Sequence, residues 1–98
     1  MNEYMVVVKF LMAFQEEFTS LIPRQRNEVN RLIEEGILTG YCLSSDRETL
    51  WMMLRAASTD AVHAMLETMP LYKFMRFEIT ELMFHVHPVS SPMHFSMN

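Results

Sequence analysis

Lys9, Arg55, Tyr41, Glu28 and the pair His85-x-His87 are the side chains whose types and settings allow chemistry. Lys9 and Arg55 sit within apolar runs, Val6-Val7-Val8 before the first and Trp51-Met52-Met53-Leu54 before the second. A cation in such a setting can take an anionic ligand, such as a carboxylate, through charge-assisted hydrogen bonds. It can equally lay its stem along apolar surface and leave its charge at a rim, or pair across an interface. In the first reading Trp51 and Met53 supply the apolar part of the same binding surface. Tyr41 either donates its hydroxyl into a cavity or serves as an amphipathic core residue with one satisfied bond. Glu28, beside Val29 at the boundary of a helix face, is the carboxylate to consider as a proton shuttle, and it must first reach the proton it moves.

His85 and His87 point the same way on a strand, which permits metal binding with His94 as a third ligand. No acidic or thiol ligand clusters with them, and no metal is expected. His63 lies just off a helical stripe and reads as a solvent-side residue. Cys42 has no neighbouring base, and no disulfide can form from one cysteine. A Gly-rich phosphate loop, a CxxC pair and a Ser nucleophile motif are all missing from the sequence, so no cofactor is expected. The 11 methionines are read as adaptable packing in core and interface.

The elements that must carry these residues follow from periodicity. Residues 4–10 alternate as a strand, Tyr4, Val6, Val8 and Phe10 on one face and Met5, Val7 and Lys9 on the other. Residues 14–35 read as a helix whose stripe is Phe18, Ile22, Val29, Leu32 and Ile33. Pro23 should kink it or restart it as a first helical residue, and Gly36 should cap its end. Residues 37–44 form a second strand, with Ile37, Thr39, Tyr41 and Leu43 opposite Leu38, Gly40 and Cys42. After a polar turn at Ser45-Asp46-Arg47-Glu48, residues 49–57 form a third strand, paired with the second as a hairpin. Ser58 or Thr59 caps a second helix over 59–69 with Ala61, Met65 and Leu66 buried, Val62 beside them, and Pro70 as its stop. A last strand over 75–86 changes parity after Thr80, as would follow from a bulge near Thr80-Glu81 or from a strand end that contacts different surfaces on its two sides.

The order is β-α-β-β-α-β, and short right-handed crossovers fold it into an α+β, ferredoxin-like four-stranded antiparallel sheet with two helices on one face. Strands one and three are apolar on both faces. Leaving Met5, Val7, Trp51 and Met53 in water forfeits up to about 1.5–3 kcal/mol for each. Two such sheets meeting face to face remove the problem, so the chain is expected to pair with itself as a homodimer or higher ring, a dimeric α+β barrel with a shared cavity. Half the residues are hydrophobic and only 20% are charged, which fits a surface that needs a partner. A net charge of −4 argues against nucleic acid. The start, Met1-Asn2-Glu3-Tyr4, has no basic region, and the apolar run after it is too short for a signal core or a membrane span. A cytoplasmic protein without membrane contact is expected, with one domain over residues 1–88 and a tail over 89–98.

One junction carries a resemblance. Ser58-Thr59-Asp60-Ala61-Val62-His63-Ala64-Met65-Leu66, Met69-Pro70-Leu71-Tyr72, Phe74-Met75, Glu78 and Leu82 follow the muconolactone isomerase pattern without a gap. Glu35-Gly36 matches in the same register, and His87-Pro88 after a two-residue shift. The similarity spans residues 24–88. It implies a dimeric α+β barrel built into larger rings. It also implies a cofactor-free activity that moves a double bond in a small unsaturated lactone by proton transfer. Against that pattern, Gln25 stands where the isomerases carry a Glu, Thr39 and Gly40 replace an Arg-His pair, and Leu50 replaces an Asn. Two functions remain open. One is an isomerase acting on a small anionic or lactone substrate, with Lys9 and Arg55 orienting it and Glu28 or Tyr41 handling protons. The other is a non-catalytic homo-oligomeric module that binds a small hydrophobic ligand.

Overall fold

The computed structural model describes residues 1–11 and 15–86 of the 98-residue chain. Its elements are β1 (Asn2–Phe10), α1 (Glu16–Glu34), β2 (Leu38–Leu43), β3 (Thr49–Ala56), α2 (Thr59–Glu67) and β4 (Met75–Leu82), with a 3₁₀ turn at Tyr72–Phe74 leading into β4. The strands form one antiparallel sheet in the order β2-β3-β1-β4. This is the predicted ferredoxin-like α+β arrangement, with β1 and β3 at the centre.

Alternation decides which side of the sheet each residue takes. Tyr4, Val6 and Val8 of β1 and Leu50, Met52 and Leu54 of β3 are buried. They meet Phe18 and Leu32 of α1 and Val62 and Leu66 of α2 in one core. Phe18 stands edge-on to Phe10 and to Phe74, with ring centroids 5.3 Å apart in both pairs, and so ties α1 to the ends of β1 and the 3₁₀ turn. The opposite, open face carries Met5, Val7 and Lys9 of β1 and Trp51, Met53 and Arg55 of β3. The β1–β3 register sets Met5 beside Met53 and Val7 beside Trp51. Among the described residues, no helix covers this side.

Both helices are stopped by local chemistry. At the end of α1, Gly36 takes φ +74°, a left-handed conformation that costs a residue with a Cβ and costs glycine little. The Gly36 N–H then donates to the Ile33 carbonyl and the Ile37 N–H to the Leu32 carbonyl, each at 3.0 Å, which satisfies the last turn. The Ser58 hydroxyl caps α2 by accepting from the Ala61 N–H at 3.1 Å. That helix ends at Glu67, two residues before the predicted limit, and the chain turns through Met69-Pro70-Leu71 into the 3₁₀ turn.

Three expectations need correction. Helix α1 runs through Pro23 without a restart. Pro23 lies on the exposed side, where water can satisfy the carbonyl that loses its bond. The bulge that the parity change allowed in β4 is absent: the β1–β4 register is unbroken from Glu3 opposite Leu82 to Phe10 opposite Met75. The change of parity near Thr80 instead marks the approaching end of the strand, since Met83 to Val86 lie beyond it. The irregularity falls in β2, between Leu38 and Gly40. Thr39 is the extra residue there, and its hydroxyl donates to the Met53 carbonyl at 3.2 Å. The bulge shifts the alternation, so Leu38, Tyr41 and Leu43 share the helix side while Gly40 and Cys42 face the open side. Phe14, His87, His94 and the tail lie outside the described residues.

Candidate functional site

The site is built from a polar residue in an apolar stripe. Phe18, Ile22, Gln25, Val29 and Leu32 follow one another at helical spacing along the inner side of α1. Gln25 is 7% exposed, and both ends of its amide are used. Its Oε1 accepts from the Leu71 N–H at 3.1 Å, and its Nε2 donates to the Met69 Sδ at 3.4 Å. A buried amide is costly unless it is hydrogen-bonded, and here it fixes the turn between α2 and β4 against the middle of α1.

Beside Gln25, a cleft of about 490 Å³ opens between α1 and the β2–β3 end of the sheet. Its floor and walls are apolar, Phe10, Phe18 and Val29 among them, with Leu50 and Met52 of β3. Its polar lining is Gln25, Arg26 and Asn30 from α1, Tyr41 from β2 and Arg47 from the β2–β3 turn. Neither Asp nor Glu lines it among the described residues. Such a cleft suits an apolar molecule with a negatively charged or strongly accepting group at one end.

The β2–β3 turn positions Arg47. The Ser44 hydroxyl donates to Asp46 Oδ1 at 2.5 Å, and the Glu48 N–H donates to the same oxygen at 2.9 Å. These donors hold the Asp46 carboxyl below its ordinary range, the Ser44 bond first. The turn leaves Arg47 at φ +66°, where a residue with a Cβ is strained.

The sequence-predicted site residues do not come together. Tyr41 lines the cleft, half exposed at its mouth. Lys9, Arg55, Trp51 and Met53 belong to the opposite side of the sheet. Lys9 Nζ donates to Thr49 Oγ1 at 2.7 Å. Arg55 stands opposite Glu3 in the β1–β3 register and borders a smaller hollow of about 240 Å³ whose other lining, Leu54, Val62 and Met65 included, is apolar. On the open side Trp51 and Met53 are half-buried, and the Met53 methyl lies over Gly40, 2.9 Å from where a Cβ would stand.

Glu28 lies away from the cleft, turned toward the end of α2. Arg31 grips both its oxygens, at 2.8 and 2.7 Å, and the Thr68 hydroxyl adds a third donor at 3.2 Å. Arg31 is the main reason its carboxyl is held below the ordinary carboxylate range. A carboxylate so stabilised as an anion is a weak proton acceptor. His85 lies with Nδ1 3.6 Å from Glu3 Oε2. No group of three metal-ligating side chains is found among the described residues.

Gln25, Arg26, Asn30 and Arg47 were not read as site residues from sequence. The signal for Gln25 was present: it fills the gap in the Phe18, Ile22, Val29, Leu32 stripe. Arg26 and Asn30 then follow as its neighbours around the helix. Arg47 carried no such signal, because only the turn conformation brings it to the cleft.

The model of the muconolactone delta-isomerase family matches residues 3–88. The chain belongs to that family. The fold agrees: the crystal structure of muconolactone isomerase superposes with a TM-score of 0.70 at 20% identity, over 91% of this chain and 96% of that one. No curated protein sequence matches. Gln25 and Leu50, two positions where this chain departs from the isomerase pattern, both line the cleft. Among the described residues, no helix is long and apolar enough to cross a membrane.

Proposed function

We propose that the cleft under α1 binds a small, mostly apolar molecule bearing a carboxylate or lactone carbonyl, and that Tyr41 is the group able to move a proton on it. The observation that carries this reading is the lining itself: Arg26, Arg47 and Tyr41 over apolar walls, with no acidic residue among the described ones. Moving a double bond in an unsaturated lactone takes a proton from one carbon and returns one to another. Tyr41 is the one lining side chain, the two arginines aside, that can carry that proton. The chain acts as at least a homodimer, with the open sheet faces of two copies meeting and Met5, Val7, Trp51 and Met53 leaving water between them.

A second reading, binding without turnover, is favoured by Gln25. It occupies the Glu position of the family resemblance, its amide is committed to Leu71 and Met69, and a neutral amide is no base.

Muconolactone binding and turnover by the purified protein separate the two. The expected result is saturable binding that Val29→Trp blocks from the helix side of the cleft, and a rate that drops in Tyr41→Phe. Binding with no rate above background establishes the second reading. Binding that Val29→Trp leaves intact, in a variant whose circular dichroism matches the parent, removes the cleft from consideration.

A further inference from the structure

Resting on the reading of the cleft as the ligand site, we infer that its ligand is a dianion, a dicarboxylate with a short apolar spacer held between Arg26 and Arg47. The two guanidinium groups come from different elements, α1 and the β2–β3 turn, and line one cleft. Neither makes an ion pair or a side-chain hydrogen bond with any described residue, whereas Arg31 holds Glu28 and Glu35, and Lys73 holds Glu17. The acid next in sequence to Arg47 is Asp46, and its carboxylate is already engaged by the Ser44 hydroxyl and the Glu48 N–H.

Two like charges around one apolar cleft repel each other, and a low-dielectric wall strengthens that repulsion. A single carboxylate relieves one of them. A molecule with a carboxylate at each end relieves both and lays its methylenes on the apolar wall between. The neutral side chains Gln25, Asn30 and Tyr41, and no acid among the described residues, complete the polar lining, so no negative charge there opposes a second one on the ligand. The volume of about 490 Å³ lies within the ordinary range for small-molecule sites.

Calorimetric titration at low salt with adipate and with hexanoate, which differ in one terminal carboxylate, tests the inference. Adipate should bind about tenfold more tightly, the scale of one partly exposed charge-assisted contact. Arg26→Gln and Arg47→Gln should each abolish that preference. Arg24→Gln, an exposed change outside the cleft, should leave it intact. Equal affinity for the two acids overturns the dianion while leaving the cleft as a site for one carboxylate. Absence of binding by either acid overturns the inference and the cleft reading together. A preference that survives both cleft substitutions means the second carboxylate is held elsewhere, and the two-arginine clamp fails.

Discussion

The two sides of the sheet make an instructive pair. Each carries large apolar side chains and cations, Lys9, Arg55 and Arg76 on the open side, yet they treat charge differently. On the open side Lys9 is bonded to Thr49, and Arg55 stands across from Glu3. On the helix side Arg26 and Arg47 line a cleft and hold no acid among the described residues. Among the described residues, the open side is a broad surface without a helix over it, whereas the helix side is roofed by α1 and α2 and opens into the cleft at its β2–β3 end. A flat apolar surface that carries acids such as Glu3 among its cations suits another protein surface. A roofed cleft with unengaged charges suits a small molecule.

The largest effect should come from breaking that division on the open side. Met53→Asp places a carboxylate among Met5, Trp51 and Gly40. If a second copy covers the face, the variant loses the assembly, because burying an unpaired charge costs several kcal/mol. Sedimentation at micromolar concentration should then show a parent dimer or larger species and a variant monomer. A parent that sediments as a monomer leaves the open face bare and withdraws the dimer.

On the helix side, Gln25→Leu keeps the apolar stripe and strands the buried Leu71 N–H. Stability should fall by about 1–3 kcal/mol, the usual cost of an unmade buried hydrogen bond, read as a lower midpoint in urea. Gln25→Glu retains an acceptor for Leu71 and loses the weak bond to Met69 Sδ, but it buries a carboxyl, which costs several kcal/mol when charged or drives the group to its neutral form. It should cost at least as much, and it places a carboxyl at the cleft. A rise in lactone isomerisation in that variant would connect the Gln25 position to the chemistry. An unchanged rate would confine Gln25 to holding the turn.

Much of this was legible in the chain. The alternation of β1 and β3, the Gly36 stop, the Ser58 cap and the junction at Met69-Pro70-Leu71 each rest on local chemistry that a sequence displays. The division of the site was not legible. Strand parity assigns faces only while the register holds, and the extra residue at Thr39 moved Tyr41 to the helix side with Leu38. The parity change in β4 left a bulge and a strand end both open, since an end and a slip both interrupt alternation, and the unbroken register removes the bulge. Lys9 and Arg55 attracted attention because they interrupt apolar runs, but an interrupted run says nothing of whether its cation is already bonded. Arg47 became visible only through a left-handed turn residue that no periodicity reports.

That turn offers a smaller test of the same comparison. Arg47→Gly relieves a conformation costing a residue with a Cβ about 1–2 kcal/mol, and it adds freedom to the unfolded chain worth roughly 0.5–1 kcal/mol. A net gain of about 0–1.5 kcal/mol is expected, with a slightly raised Tm. Carboxylate binding should weaken in the same variant. Stability and binding moving in opposite directions would mean that the strain is kept for the ligand. A variant that loses both would make Arg47 a structural residue of the turn.

The smallest effect concerns Glu28, which lies on α1 outside the cleft. Its folded carboxyl titrates below its unfolded value because Arg31 and Thr68 favour the anion. The contribution is therefore present above the unfolded pKa and is lost as pH falls through the folded one, so it disappears in the acid range below about pH 4. Arg31 is half exposed, and the i, i+3 pair on a helix surface is worth about 0.3–0.5 kcal/mol. Glu28→Gln should lower stability by that amount at neutral pH and converge with the parent in acid, as urea midpoints across pH would show. Lactone turnover, if present, should be unchanged at neutral pH, because the carboxylate points to α2 and not to the cleft. A Glu28→Gln variant that folds normally yet loses turnover would move the proton-transfer role back from Tyr41 to this helix and reverse the assignment of the site.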